Sequence, residues 1–117
     1  MKILVPMCAD ILHPGHINII KEANKFGDVT VGLSTDKFIA ELKGRPPLLP
    51  YYIRRLIVLG IKGVDGVVEM SDLTIPIQFD AVAHGDDWTP EYKLNGACYI
   101  KIPHTPGISS TLIKEKI

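Results

Sequence analysis

The chain carries no excess charge of either sign, because thirteen Lys and Arg residues balance thirteen Asp and Glu. Without a broad cationic field, neither nucleic acid nor an anionic membrane surface is expected as a partner. No apolar run reaches the roughly 18 residues of a membrane span, and no basic leader precedes a small-residue cleavage site, so a cytoplasmic location is expected. Cysteine is scarce: Cys8 and Cys98 lie in apolar sequence without Cys-x-x-Cys spacing, which favours reduced thiols over a disulfide. Aromatics are also few, at 7% of residues against 46% apolar overall. A chain of 117 residues suffices for one compact core but not two, so a single domain spanning 1–117 is expected.

Short apolar strands alternate with helical patterns along that length. Lys2 to Met7 reads as a strand. In the helix that follows, Ile19, Ile20, Ala23 and Phe26 share one face, and Gly27 is expected to end it. Val29 to Leu33 is nearly all apolar, as suits a strand covered on both faces, and Ser34-Thr35-Asp36 stands at its carboxyl end. From Lys37 to Pro50, Pro46, Pro47 and Pro50 restrict the chain to a short helical turn and then an exposed loop of the kind that often serves function. Tyr51 to Leu59 fits a helix with Ile53, Leu56, Ile57 and Gly60 inward. Strands are expected again at Gly66 to Glu69, Asp80 to His84 and Cys98 to Ile102, while Pro76 leaves 71–79 open between a short helix and a loop. Leu112 to Ile117 reads as the opening of a final helix, so the C-terminus is expected to be truncated. This alternation implies a doubly wound, Rossmann-like parallel α/β sheet, in which ligands bind beyond the carboxyl ends of the strands.

All four histidines fall at such ends: His13 and His16 after the first strand, His84 at the end of the fourth and His104 after the fifth. In Ile11-Leu12-His13-Pro14-Gly15-His16 the histidines open a helix, which puts two imidazoles beside backbone N–H groups that have no intrahelical partner. A helix N-terminus carries about half a positive charge, and Gly15 has no side chain to hold an anion away. Phosphoryl or nucleotidyl transfer fits this arrangement. A helix cap or half of a metal site would use the same residues.

His13-Pro14-Gly15-His16, Gly85-Asp86-Asp87-Trp88 and Gly107-Ile108-Ser109-Ser110-Thr111 occur in that order. Together they make the chain resemble the cytidylyltransferases of the HxGH nucleotidyltransferase superfamily over nearly its whole length. It is similar to the CTP:glycerol-3-phosphate cytidylyltransferases, and closer to those linked to phosphoenolpyruvate mutase. The latter share the segment from Cys8-Ala9-Asp10 through His13-Pro14-Gly15-His16 to Asn18-Ile19-Ile20. The resemblance implies an HxGH-type nucleotidyltransferase fold and CMP transfer from CTP, with magnesium, to a small phosphonate such as 2-aminoethylphosphonate or 2-hydroxyethylphosphonate. The alternative it implies is glycerol 3-phosphate or another phosphoalcohol as acceptor, and a homodimer is expected.

By the same resemblance His13, His16, Lys43 and Arg45 carry catalysis, and no metal ligand from the protein is expected. Cys8, Ala9, Asp10 and Gly15 lie at the phosphates, and Arg54 matches an arginine following Tyr-x-x. Gly85, Asp86, Asp87 and Trp88 frame the cytidine, while Ile108, Ser109, Ser110 and Thr111 hold the outer phosphates. His104 stands where glycerol-phosphate enzymes have an arginine near the nucleotide, and Lys62-Gly63-Val64-Asp65 keeps only the last two residues of that branch's Arg-Tyr-Val-Asp signature. An adenylyltransferase, a zinc hydrolase using the histidines with Asp10, and a non-catalytic nucleotide-binding module are the competing classes.

Overall fold

The computed structural model describes residues 1–85 and 91–103. The expectations for Asp86, Asp87, Trp88, His104, Ile108, Ser109, Ser110, Thr111 and a final helix lie outside the described residues. In chain order the elements are β1 (Lys2–Met7), α1 (Pro14–Ala23), β2 (Asp28–Ser34), α2 (Asp36–Lys43), α3 (Tyr51–Leu59), β3 (Val64–Met70), β4 (Ala81–Gly85) and β5 (Cys98–Ile102). The strands form one parallel sheet in the order β3-β2-β1-β4-β5. The order reverses beside β1, which puts the carboxyl end of β1 at the switch point where open α/β sheets bind ligands.

Alternation along the strands divides the core between two faces. Ile3, Val5, Val29, Val31, Leu33, Ala81 and Ala83 face one way and pack with Ile20 and Ala23 of α1 and Val58 of α3. Leu4 and Val82 face the other way, where Ile75, Phe79 and Ala97 complete a second cluster with Met70. Part of that second face is covered by the irregular segments 71–79 and 91–97, which are tied by Ile75 N–H to Lys93 C=O at 2.9 Å and Lys93 N–H to Leu73 C=O at 2.8 Å.

Three local expectations change. α1 ends at Ala23, and Asn24 caps it, with its side-chain amide donating to the Ile20 and Gly63 carbonyls at 3.1 Å. Phe26 is therefore outside the helix and exposed. Gly27 is needed for another reason: a Cβ there would stand 2.1 Å from the Met1 carbonyl oxygen, which accepts from Asp28 N–H as β2 begins. The stretch after Asp36 makes an eight-residue helix and not merely a turn, because Thr35 caps it through Phe38 N–H and Gly44 closes it at φ 72°.

The inward face of α3 also differs. Val58 and the whole of Arg54 are buried, whereas Leu56, Ile57 and Gly60 are exposed. Apolar periodicity misplaces this face because the charged Arg54 finds four acceptors inside the protein.

Candidate active site

At the end of β1 the backbone turns sharply. Ala9 is buried at 3% exposure with φ 55°, a left-handed conformation that costs an alanine on the order of 1 kcal/mol. His13 is the N-cap of α1, and its Nδ1 accepts from Gly15 N–H at 3.0 Å. His16, at the third helical position, returns the favour: its Nδ1 accepts from His13 N–H at 3.2 Å. This is a capping box in which imidazoles replace the usual hydroxyl and carboxylate. No acidic residue occupies the first turn, so the positive helix end is not neutralised there.

The box also fixes the chemistry of the rings. Each Nδ1 accepts a hydrogen bond, so a neutral ring must carry its proton on Nε2. Burial drives the His16 pKa down from its ordinary 6.5 to about 4, and the charges of His13 and Lys43 push the same way. At neutral pH His16 is therefore an uncharged Nε2–H donor. The rings lie 4.1 Å apart between centroids and are tilted by 44°.

Gly15 is required by this arrangement more than by access for an anion. A Cβ at residue 15 would lie 2.6 Å from His13 Cε1 and 2.8 Å from Nδ1, so any larger residue displaces the capping ring.

A second group of contacts holds the segment that follows α2. Asp10 accepts from Leu48 N–H at 2.8 Å and Leu49 N–H at 2.9 Å. Burial raises the Asp10 pKa, but these two amides, with the charges of Arg54 and Lys43, outweigh it and hold the carboxyl below its ordinary range. Arg54 donates from Nε to the Leu49 carbonyl at 2.9 Å, from Nη1 to the Cys8 and Ser34 carbonyls at 2.8 Å, and from Nη2 to Asp36 at 2.6 Å. At 0% exposure its guanidinium reaches a nucleotide only through the backbone it holds, which departs from the contact implied by resemblance.

Lys43, the last residue of α2, is exposed and close enough for its charge to be felt at both His16 and Asp10. Arg45 is exposed, and its guanidinium meets the Pro46 carbonyl at 3.5 Å. The structure thus gathers Cys8, Ala9, Asp10, His13, Gly15, His16 and Lys43 around one turn, with Gly85 at the end of the neighbouring strand, and leaves Arg45 on the surface. Among the described residues no group of three or more His, Cys, Asp and Glu side chains could hold a metal ion. Cys8 and Cys98 are free thiols.

A cavity and the Tyr92 that lines it had no clear signal in the sequence, whereas His84 lies where its place at the end of the fourth strand implied. A cavity of about 50 Å³ opens beside Cys8, lined by Ser34, Phe38, Met70, Leu73 and Tyr92 among others. The Cys8 thiol lies 3.8 Å from the Ser34 hydroxyl, and burial, with lesser contributions from Tyr99 and Cys8, raises the Tyr92 pKa, keeping its phenol protonated. Beyond Tyr92, His84 is buried at 4% exposure; its Nδ1 donates to the Gly85 carbonyl at 2.7 Å, and its Nε2 has no partner among the described residues. Its ring meets that of Tyr99 edge-on at 5.3 Å.

A parallel sheet with a histidine-capped helix N-terminus at its switch point fits a nucleotidyltransferase, and the comparisons carry the assignment. The cytidylyltransferase-like family model matches residues 4–116, so the chain belongs to the cytidylyltransferase-like family and is a nucleotidyltransferase with cytidylyltransferase activity. It is 34% identical to glycerol-3-phosphate cytidylyltransferase of Bacillus subtilis, over 99% of this chain and 96% of that protein. It is 32% identical to ethanolamine-phosphate cytidylyltransferase of Arabidopsis thaliana, over 95% of this chain but 31% of that longer protein. The fold matches a lipopolysaccharide core biosynthesis protein from Thermoplasma volcanium with a TM-score of 0.70 at 21% identity, covering 90% of this chain and 96% of that one. No helix among the described residues is long and apolar enough to cross a membrane.

Proposed function

We propose that the protein transfers CMP from CTP to a small phosphonate whose head group is compact and uncharged, releasing pyrophosphate. The observation that carries this reading is the histidine capping box, which sets two imidazoles at a helix N-terminus with Nε2–H as the proton-bearing position. An acceptor oxygen attacks the α-phosphorus, a new P–O bond forms, and the bond to the bridging oxygen of the leaving pyrophosphate breaks. The attacking oxygen is already anionic, so no general base is required. Catalysis is positioning plus stabilisation of developing charge, with His13 and His16 donating to phosphate oxygens and Lys43 and Arg45 supplying positive charge.

Magnesium, when bound, neutralises phosphate charge. Among the described residues the only carboxylate at the turn, Asp10, is engaged by two backbone amides, so these residues offer no cage for the ion, which the triphosphate would bring. By resemblance the 85–88 segment takes the cytidine, and 108–111 the outer phosphates.

We assign the cavity beside Cys8 to the head group of the acceptor. It has room for a few heavy atoms, and its described lining is apolar apart from a thiol and two hydroxyls. An ammonium group buried there would lose its hydration without a described counter-charge, which costs several kcal/mol. Of the two phosphonates, 2-hydroxyethylphosphonate is therefore favoured over 2-aminoethylphosphonate. The second reading is glycerol 3-phosphate, favoured by the 34% identity to the Bacillus subtilis enzyme of that name. Pyrophosphate release is measured with CTP, ATP and GTP against 2-hydroxyethylphosphonate, 2-aminoethylphosphonate and glycerol 3-phosphate. CTP with 2-hydroxyethylphosphonate is expected to give the highest kcat/KM. Preference for ATP removes the cytidylyl reading, and preference for glycerol 3-phosphate removes the phosphonate.

A cytoplasmic homodimer belongs to the same proposal. Tyr52, Leu56, Ile57 and Leu59 leave an apolar strip exposed along α3, which a second copy would cover. Sedimentation showing only monomer at micromolar concentration contradicts it.

A further inference from the structure

Arg54 is a guanidinium without solvent contact whose hydrogen bonds join four residues on three separate pieces of chain: Cys8 after β1, Ser34 and Asp36 at the junction of β2 and α2, and Leu49 before α3. Four of its five N–H groups are used in these bonds. Stability alone is a poor reason for such a residue, because burying a charged pair often gains nothing over well-packed apolar side chains. What an apolar residue cannot do is hold three backbone carbonyls at fixed spacing. A lysine has a single ammonium and no planar fork, so it cannot do so either.

The carbonyls held are informative. Cys8 directly precedes the strained Ala9 of the histidine turn, and Leu49 ends the segment that starts at Lys43. Asp10 fastens the same segment from the other side through the Leu48 and Leu49 amides. Asp36, the Nη2 partner of Arg54, lies in the first turn of α2, and Lys43 in its last. Both ends of the unit that carries Lys43 and Arg45 are therefore tied to the turn that carries His13 and His16.

We propose that Arg54 is a positioning residue for CMP transfer, which sets the cationic segment 43–49 against the histidine turn without touching substrate. The inference rests on the reading above, in which Lys43 and the histidines act on one triphosphate. In Arg54→Met the cationic segment loses its registration, so kcat of the folded variant falls about 10- to 100-fold.

Two measurements test this. The first is a double-mutant cycle on pyrophosphate release with Lys43→Ala, Arg54→Met and the pair. Removing Lys43 is expected to cost much less in the Arg54→Met background than in the wild type, because the lysine is already misplaced there. If Lys43→Ala costs the same factor in both backgrounds, the two residues are independent and the proposal is overturned. The second is amide exchange at Leu48 and Leu49, which needs no substrate and so stands even if the assigned reaction fails. Both amides are expected to exchange at least tenfold faster in Arg54→Met and, should that variant not fold, in Arg54→Lys. Unchanged exchange in the variant that folds overturns the clamp. Absence of pyrophosphate release from CTP by the wild-type protein, with accelerated exchange in the variant, would instead overturn the reaction and leave the clamp standing.

Discussion

In the histidine turn the decisive bonds join residues two and three apart, His13 with Gly15 and His13 with His16. In the cationic segment they join residues 38 and 39 apart, Asp10 with Leu48 and Leu49, and its anchor Arg54 reaches 46 residues back to Cys8. One device is complete within a single helical turn. The other exists only once β1, β2, α2 and α3 have assembled. A local device can fix the tautomer of its own rings, as the two accepting Nδ1 atoms show, whereas a long-range one can only set distances between groups made elsewhere.

The largest effect should come from breaking the local device. Gly15→Ala forces His13 out of its cap, since the added methyl would sit 2.6 Å from Cε1. Both imidazoles lose their set positions, and kcat/KM should fall by about 10³-fold or more. The loss of the cap should cost about 1 kcal/mol of stability. Chemical denaturation beside steady-state kinetics checks the pair; a near-normal rate would mean that the box is only a helix cap.

Breaking the long-range device by Asp10→Asn should cost less. The two amides keep one neutral acceptor, so stability should fall on the order of 1–2 kcal/mol and activity by about tenfold, read by denaturant melts and initial rates. An activity loss as large as that of Gly15→Ala would show that Asp10 acts on substrate directly.

A smaller effect sharpens the difference in charge state. Because the folded His16 pKa lies near 4 against 6.5, the unfolded chain binds the extra proton first as pH falls. The His16 share of stability is complete above about pH 6.5 and is lost as pH drops towards 4. His16→Gln should flatten the stability profile across that window. Nitrogen chemical shifts of the ring should report an Nε2–H tautomer at pH 7, and titration near 6.5 would contradict a buried neutral donor.

The same contrast explains what could be read in advance. The turn and the parallel sheet were legible because they rest on short spacings: His-Pro-Gly-His at the end of an apolar strand, and strands of five to seven residues separated by helical patterns. The inward face of α3 was not legible, because hydrophobic periodicity counts an arginine as outside, and only Cys8, Ser34, Asp36 and Leu49 together make burial of Arg54 tolerable. The role of Asp10 was hidden for a similar reason, since its partners are backbone amides 38 and 39 residues away. The two-turn length of α2 was under-read because the three prolines lie beyond Gly44, where the helix has already ended. Ala9 gave no sign of its left-handed backbone, which in sequence is signalled by glycine or asparagine.

The central claim is that a neutral His16 at the α1 N-terminus stabilises charge as CMP is transferred. It is tested by single-turnover kinetics of His16→Ala with CTP and the preferred acceptor, alongside equilibrium CTP binding and circular dichroism. The rate of the chemical step should fall by about 10²–10³-fold, while the Kd for CTP rises by less than about tenfold, because the helix terminus and Lys43 still bind the ground state. A near-normal rate, or a loss of CTP affinity in proportion to the loss of rate, would contradict it.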